Sequence, residues 1–111
     1  IVNTENILVN LNNYEIGLLL ITGHYIIFNS NIDGEHVSID SNYKYVPDFG
    51  PKQCTNKNEG YSGKTFLALS EKYAYDAMTI KESRVLMKRL IDYYIQPKKI
   101  RTREILKYIS L

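Results

Sequence analysis

A chain of 111 residues, 44% hydrophobic and 23% charged, suffices for one domain with a core of its own. Its longest apolar run, 16–28, is broken by Gly17, Thr22, Gly23 and His24 and falls short of the roughly 20 residues that cross a bilayer. The single cysteine, Cys54, excludes an intrachain disulfide or a multi-cysteine zinc site within these residues, and is in keeping with a reducing cytoplasm. The chain opens on Ile1, without a basic n-region or a small-residue cleavage site, so we expect a fragment or processed product and no signal peptide. Ile, Lys, Asn and Tyr are abundant as in AT-rich coding, which lowers the functional weight of the ten tyrosines.

Residues 4–25 read as a helix followed by a stop. Thr4 has an N-capping side chain, and Glu5 suits the positive end of a helix. Ile7, Leu8, Leu11, Tyr14, Leu18 and Ile21 recur at three- and four-residue spacing. Leu19 and Leu20 widen that face, so the helix is expected to be largely buried. Asn10, Asn12 and Asn13 are poor helix formers and leave room for a break into two helices, and Gly23 suits a C-cap.

Residues 26–60 change character. They are rich in Asn, Asp, Gly and Ser, with alternating pieces at His36-Val37-Ser38-Ile39 and Tyr43-Lys44-Tyr45-Val46, bounded by Asp33-Gly34, Pro47 and Pro51. That pattern predicts short strands and turns, a small irregular β insertion with mobile loops, above all 54–60. Helical spacing then returns. Ser62 caps a short helix holding Phe66, Leu67, Ala68 and Leu69 and ending near Lys72. Thr79, with Glu82 three residues on, has the pattern of a capping box for a long helix. Its apolar face runs through Ile80, Val85, Leu86, Met87, Leu90, Ile91, Tyr94 and Ile95, and Pro97 ends it. A last helix starts at Arg101 or Thr102, with Ile105, Leu106 and Ile109 inward. The fold class is mainly α (α+β), a helical domain with a small β insertion.

Few residues carry obvious chemistry. Gly60-Tyr61-Ser62-Gly63-Lys64-Thr65 invites comparison with a phosphate loop, but the required first glycine is Asn58 and no apolar strand precedes it. A helix-capping turn is the better reading. His24, His36 and Cys54 form no i, i+3 or i+4 pair; they read as a helix-end histidine, a strand histidine and a loop thiol, unless the fold brings them together. Asp33, Glu35 and Asp40 lack calcium-loop spacing and read as turn formers.

Charge is the strongest signal. Residues 78–111 carry nine Lys/Arg against three acids, while the remainder carries five against nine. Lys81, Arg84 and Lys88 share one helical stripe, and Lys98, Lys99, Arg101 and Arg103 extend the same sign. Solvated faces usually mix signs, so phosphates or a carboxylate-rich peptide are the natural partners.

Three motifs in register carry a resemblance. Residues 86–95, followed by Lys98-Lys99-Ile100-Arg101-Thr102-Arg103-Glu104-Ile105-Leu106, resemble the C-terminal end of the RecO family of bacterial recombination mediators. Tyr94-Ile95-Gln96-Pro97 stands where that family has a glycine turn, and Thr102-Arg103-Glu104-Ile105 resembles its helix start. Tyr14-Glu15-Ile16-Gly17-Leu18-Leu19 is similar to its Phe-Glu-Leu helix, and Tyr61 to Leu69 falls at its short helix after the insertion.

That resemblance implies a non-enzymatic part in DNA repair and recombination, in the cytoplasm at the nucleoid. It implies a helical domain at 1–25 and 61–111, with the 26–60 insertion standing as a degenerate zinc ribbon, and an N-terminal OB-fold domain absent from the chain. Many members bind zinc through four cysteines there; with Cys54 alone, this chain is expected to need no metal or other cofactor. The implied partners are the acidic C-terminal tail of single-stranded-DNA-binding protein (SSB), RecR, and single-stranded DNA through auxiliary contacts. By position Lys81 and Arg84, with Lys88, are the expected tail site, and Lys98, Lys99, Arg101 and Arg103 the expected DNA contacts. Some members carry an arginine pair where this chain has Asn12 and Asn13, which points to weaker tail binding or to a larger share for Lys88. The alternative is a stand-alone helical module that contacts phosphates through its basic C-terminal helices.

Overall fold

The computed structural model describes residues 4–56 and 58–95. Among them lie three helices and one small antiparallel sheet: α1 (Thr4–Ile21), β1 (Asn42–Val46), β2 (Gly50–Gln53), β3 (Tyr61–Ser62), α2 (Gly63–Leu69) and α3 (Ala77–Ile95). The mixed α+β class with a small β insertion is therefore observed. The basic cluster Lys98, Lys99, Arg101 and Arg103 and the final helix expected around it lie outside the described residues.

The helix α1 is continuous through its asparagines, and it ends as Gly23 allows. At φ +89° that glycine lets the Gly23 N–H donate to the Leu20 carbonyl and the His24 N–H to the Leu19 carbonyl, each at 3.0 Å. The face that α1 buries is not the one its apolar spacing predicts. Asn12 and Leu19 are its buried residues, whereas Ile7, Leu11, Tyr14, Leu20 and Ile21 are exposed, Ile21 by 87%. The reason is polar: Asn12 and Glu15 find partners on α3, and those bonds turn the helix about its axis. The same bonds hold the asparagine stretch helical.

The sheet has strand order β2-β1-β3, with Tyr45 opposite Pro51 and Tyr43 opposite Tyr61. Proline inside β2 is tolerated because β2 is an edge strand, where a missing N–H breaks no ladder. The expected strand at His36 shrinks to a single bridge, Ser30 with His36, because Asn31 folds the chain into a turn by accepting from the Asp33 and Glu35 N–H groups. Phe66, fully buried on α2, gathers the insertion. The rings of Phe28, Tyr43, Tyr45 and Tyr61 stand 5.9–6.5 Å from its centroid, within the range of favourable aromatic packing. Gly63 is obligatory there, since a Cβ on it would meet the Ser38 carbonyl oxygen at 1.8 Å.

Helix α2 starts under Ser62, as expected, whose Oγ accepts from the Thr65 N–H, but it stops at Leu69. Helix α3 begins earlier than its capping-box pattern suggests. Asp76 is the cap: its carboxylate accepts from the Thr79 N–H at 2.8 Å, and Thr79 Oγ1 accepts from the Asp76 N–H at 2.7 Å. Glu82 is thereby free to bind across the fold.

The hydrogen bond from Lys64 and that from the Thr79 N–H hold the Asp76 carboxyl down to about 2. A folded-state value below the unfolded one contributes stability that is complete above the ordinary carboxylate range and lost as pH falls toward 2. Asp76→Asn keeps a capping side chain but removes this titration. Its melting temperature should fall less steeply between about pH 4 and pH 2 than that of the parent chain, as followed by circular dichroism.

Candidate functional site on the third helix

Helix α3 has α1 on one flank and α2 with the sheet on the other. Three consecutive residues make both attachments. Glu82 Oε1 accepts from the Ser62 N–H (2.9 Å), Ser62 Oγ (3.0 Å) and Thr65 Oγ1 (2.7 Å), tying β3 and the start of α2 to α3. Ser83 Oγ accepts from Asn12 Nδ2 at 2.8 Å. Arg84 Nη1 donates to Asn12 Oδ1 at 2.9 Å and to the Glu15 carboxylate.

Of the three residues expected to hold an acidic tail, Arg84 is therefore already bound within the fold. Its side chain is 23% exposed and that of Glu15 15%, so both charges are largely out of water and neutralise each other. Lys81 and Lys88 lie on the same stripe, exposed, with no ion pair among the described residues. The lysines elsewhere include paired ones: Lys64 with Asp76 at 2.6 Å and Lys44 with Glu59 at 3.1 Å. Beside the Arg84 seam, a concavity of about 340 Å³ between α1 and the α2–α3 connection is lined by Val9, Asn13, Ala68, Glu71, Lys72, Tyr73 and others. Tyr75, at its edge, accepts weakly from Asn12 Nδ2 at 3.5 Å.

On the opposite flank a second concavity, of about 320 Å³, opens between α3 and the sheet. Leu86, Arg89, Leu90 and Tyr93 of α3 form one wall, and Tyr45, Pro47 and Tyr61 belong to the other. Arg89 is exposed and holds its guanidinium carbon 5.8 Å from the Tyr61 ring centroid. Arg89 was not among the site residues expected from the sequence. Its signal was present in the i, i+4 spacing with Tyr93 and Val85, but the three-cation stripe on the other flank masked it.

The chemistry-bearing residues considered earlier do not converge. His24 lies against Tyr94 with ring centroids 4.1 Å apart and planes tilted by 36°, His36 pairs with Ser30 at the bridge, and the N–H of Cys54, just after β2, donates to the Asn42 carbonyl. Among the described residues no group of three or more His, Cys, Asp or Glu side chains is arranged for a metal. Asp33, Glu35 and Asp40 stay in exposed turns. The Gly60–Thr65 stretch is a strand end and cap, and both Lys64 and Thr65 bond to carboxylates.

This architecture defines a helical unit with an inserted sheet, held by polar clasps and carrying unpaired cations on its longest described helix. No protein-family model and no solved structure matches it. Curated proteins do: it is 32% identical over 101 residues to the DNA repair protein RecO of Cupriavidus metallidurans, across 86% of this chain and 34% of that protein. It is 31% identical over 101 residues to the DNA repair protein RecO of Dechloromonas aromatica, across 87% and 41%. A Coxiella burnetii DNA repair protein RecO is 36% identical over 69 residues, across 60% and 30%. The chain spans about a third of the length of the curated relatives it matches. Over that span it is related to the RecO family.

The seam makes its own prediction. Arg84→Met leaves the largely buried Glu15 carboxylate without its cation and should destabilise the chain by about 1–3 kcal/mol. Adding Glu15→Gln should recover part of that loss, so the two changes are less than additive in urea unfolding. Strict additivity would mean that the pair contributes nothing to the seam.

Proposed function

We propose that the chain serves in DNA repair as the RecO-type module that captures the acidic, aromatic-ended tail of single-stranded-DNA-binding protein. It acts by binding and not by catalysis, with RecR as a further partner and single-stranded DNA contacted through Lys98, Lys99, Arg101 and Arg103. The observation that carries this reading is the pair of exposed lysines, Lys81 and Lys88, one on each side of an Arg84 that is fixed in place. Charge-assisted contacts to aspartates and a terminal carboxylate need such cations, and they need them without competing acids.

Arg84 plays a different part from the one its stripe position suggests. Bound to Glu15 and Asn12, it positions α1 against α3 and supplies little free charge. The tail's acidic residues lie on Lys81 and Lys88, and its aromatic end enters the concavity by Tyr73 and Tyr75. Asn13, at a position where some family members have arginine, lines that concavity without adding charge.

The double variant Lys81→Ala with Lys88→Ala should bind a fluorescent ten-residue peptide ending in three aspartates and a phenylalanine carboxylate at least tenfold more weakly. Binding by the parent chain should fall as salt rises from 50 to 200 mM. Unchanged anisotropy curves for the double variant would remove this site.

A further inference from the structure

The cleft between α3 and the sheet is unused by the tail-binding reading, and its lining is specific. Tyr45, Tyr61 and Tyr93 bring three phenol rings together with Leu86, Leu90 and Pro47. Burial raises the Tyr45 phenol to about 12 and also raises Tyr61, so these two phenols keep their protons at physiological pH. The ionic members of the lining are Lys44, which is paired with Glu59, and Arg89, which has no ion pair among the described residues and is the rim's free cation. Neutral aromatic walls under a cationic rim suit a planar, polar-edged ring attached to an anion.

Tyr61 narrows the choice. Its side chain belongs to the core, yet its hydroxyl has no hydrogen-bond partner among the described residues. A buried unsatisfied hydroxyl is costly, and native folds rarely leave one. Arg89 is the cation that acts on this phenol, by charge and as a donor at the margin of bonding geometry; with its guanidinium carbon 5.8 Å from the ring centroid, it does not complete a hydrogen bond to the hydroxyl. An apolar peptide side chain entering the cleft would leave the hydroxyl as it is. A nucleobase carries donors and acceptors on its edge and satisfies it.

We propose that this cleft binds one unstacked base of single-stranded DNA, stacked on Tyr93, with its edge on the Tyr61 hydroxyl and its phosphate on Arg89. In the free chain the hydroxyl is covered. Admission of the base therefore turns the exposed Arg89 side chain outward, the direction in which a phosphate draws it. Aromatic stacking with a cation at the backbone is the general means of holding single strands without reading sequence. The proposal rests on the DNA-repair reading, but uses the flank of α3 opposite Lys81 and Lys88.

The test titrates the full chain at 50 mM salt with a labelled 16-mer of thymidylate, and with an abasic 16-mer of equal charge. We expect the abasic strand to bind at least fivefold more weakly. Arg89→Gln should weaken thymidylate binding about tenfold. Tyr61→Phe, which keeps the ring and the fold, should weaken it three- to fivefold and leave the abasic strand unaffected. Equal binding of both strands, a silent Tyr61→Phe, or no thymidylate binding at all would overturn the proposal. So would loss of acidic-peptide binding in Arg89→Gln with thymidylate binding intact, since that assigns the cleft to a peptide. Tail capture is scored separately through Lys81 and Lys88, so either site can fail alone.

Discussion

An arginine withdrawn from water must keep an anion beside it, and much of this fold follows from where Arg84 finds one. Its partner, Glu15, is 69 residues away on α1, and the bond forms only when the two helices lie side by side in one register. Asn12 completes the constraint by accepting from Arg84 and donating to Ser83, so its amide group is used on both sides. One residue earlier, Glu82 holds the opposite flank through Ser62 and Thr65. Residues 82–84 thus fasten both halves of the described structure to one turn of α3.

That arrangement separates the surfaces of α3. Polar bonds fix α1 and the sheet, while Lys81 and Lys88 have no ion pair among the described residues and Arg89 leans on the Tyr61 ring. Lys81 and Lys88 stand on the α1 side and Arg89 on the sheet side, all exposed. A relationship to RecO over about a third of a RecO protein's length gives these surfaces their context, since the matched relatives are DNA repair proteins. Two chemistries on one helix would let a protein tail and a DNA strand be held together without competing.

Much of the fold was legible because local rules and tertiary needs agreed. Gly23, Ser62 and the apolar positions Leu86, Leu90 and Tyr94 behave as their spacing and chemistry require. The α1 face was not legible. Asn12 and Glu15 break the apolar pattern, yet they are drawn inward because their partners, Ser83 and Arg84, are remote in sequence. The α3 cap failed for a related reason: Asp76 and Thr79 form the reciprocal pair, while Glu82, which imitates a capping glutamate, serves another element. Of the candidate site, the stripe of Lys81, Arg84 and Lys88 was visible from spacing, but spacing cannot show that the middle cation is occupied. The cleft was hidden because Tyr45, Tyr61 and Tyr93 come together only through the β1–β3 register and the packing of α3. In a tyrosine-rich chain such residues do not stand out.

The most direct measurement is amide mapping by heteronuclear NMR on the labelled full chain, with acidic tail peptide and thymidylate strand added in turn. Two separate sets of perturbed amides are predicted: residues around Lys81 and Lys88 with α1 for the peptide, and residues around Tyr61, Arg89 and Tyr93 for the strand. A shared set for both ligands, or no perturbation by either, would contradict the assignment of two binding surfaces to α3.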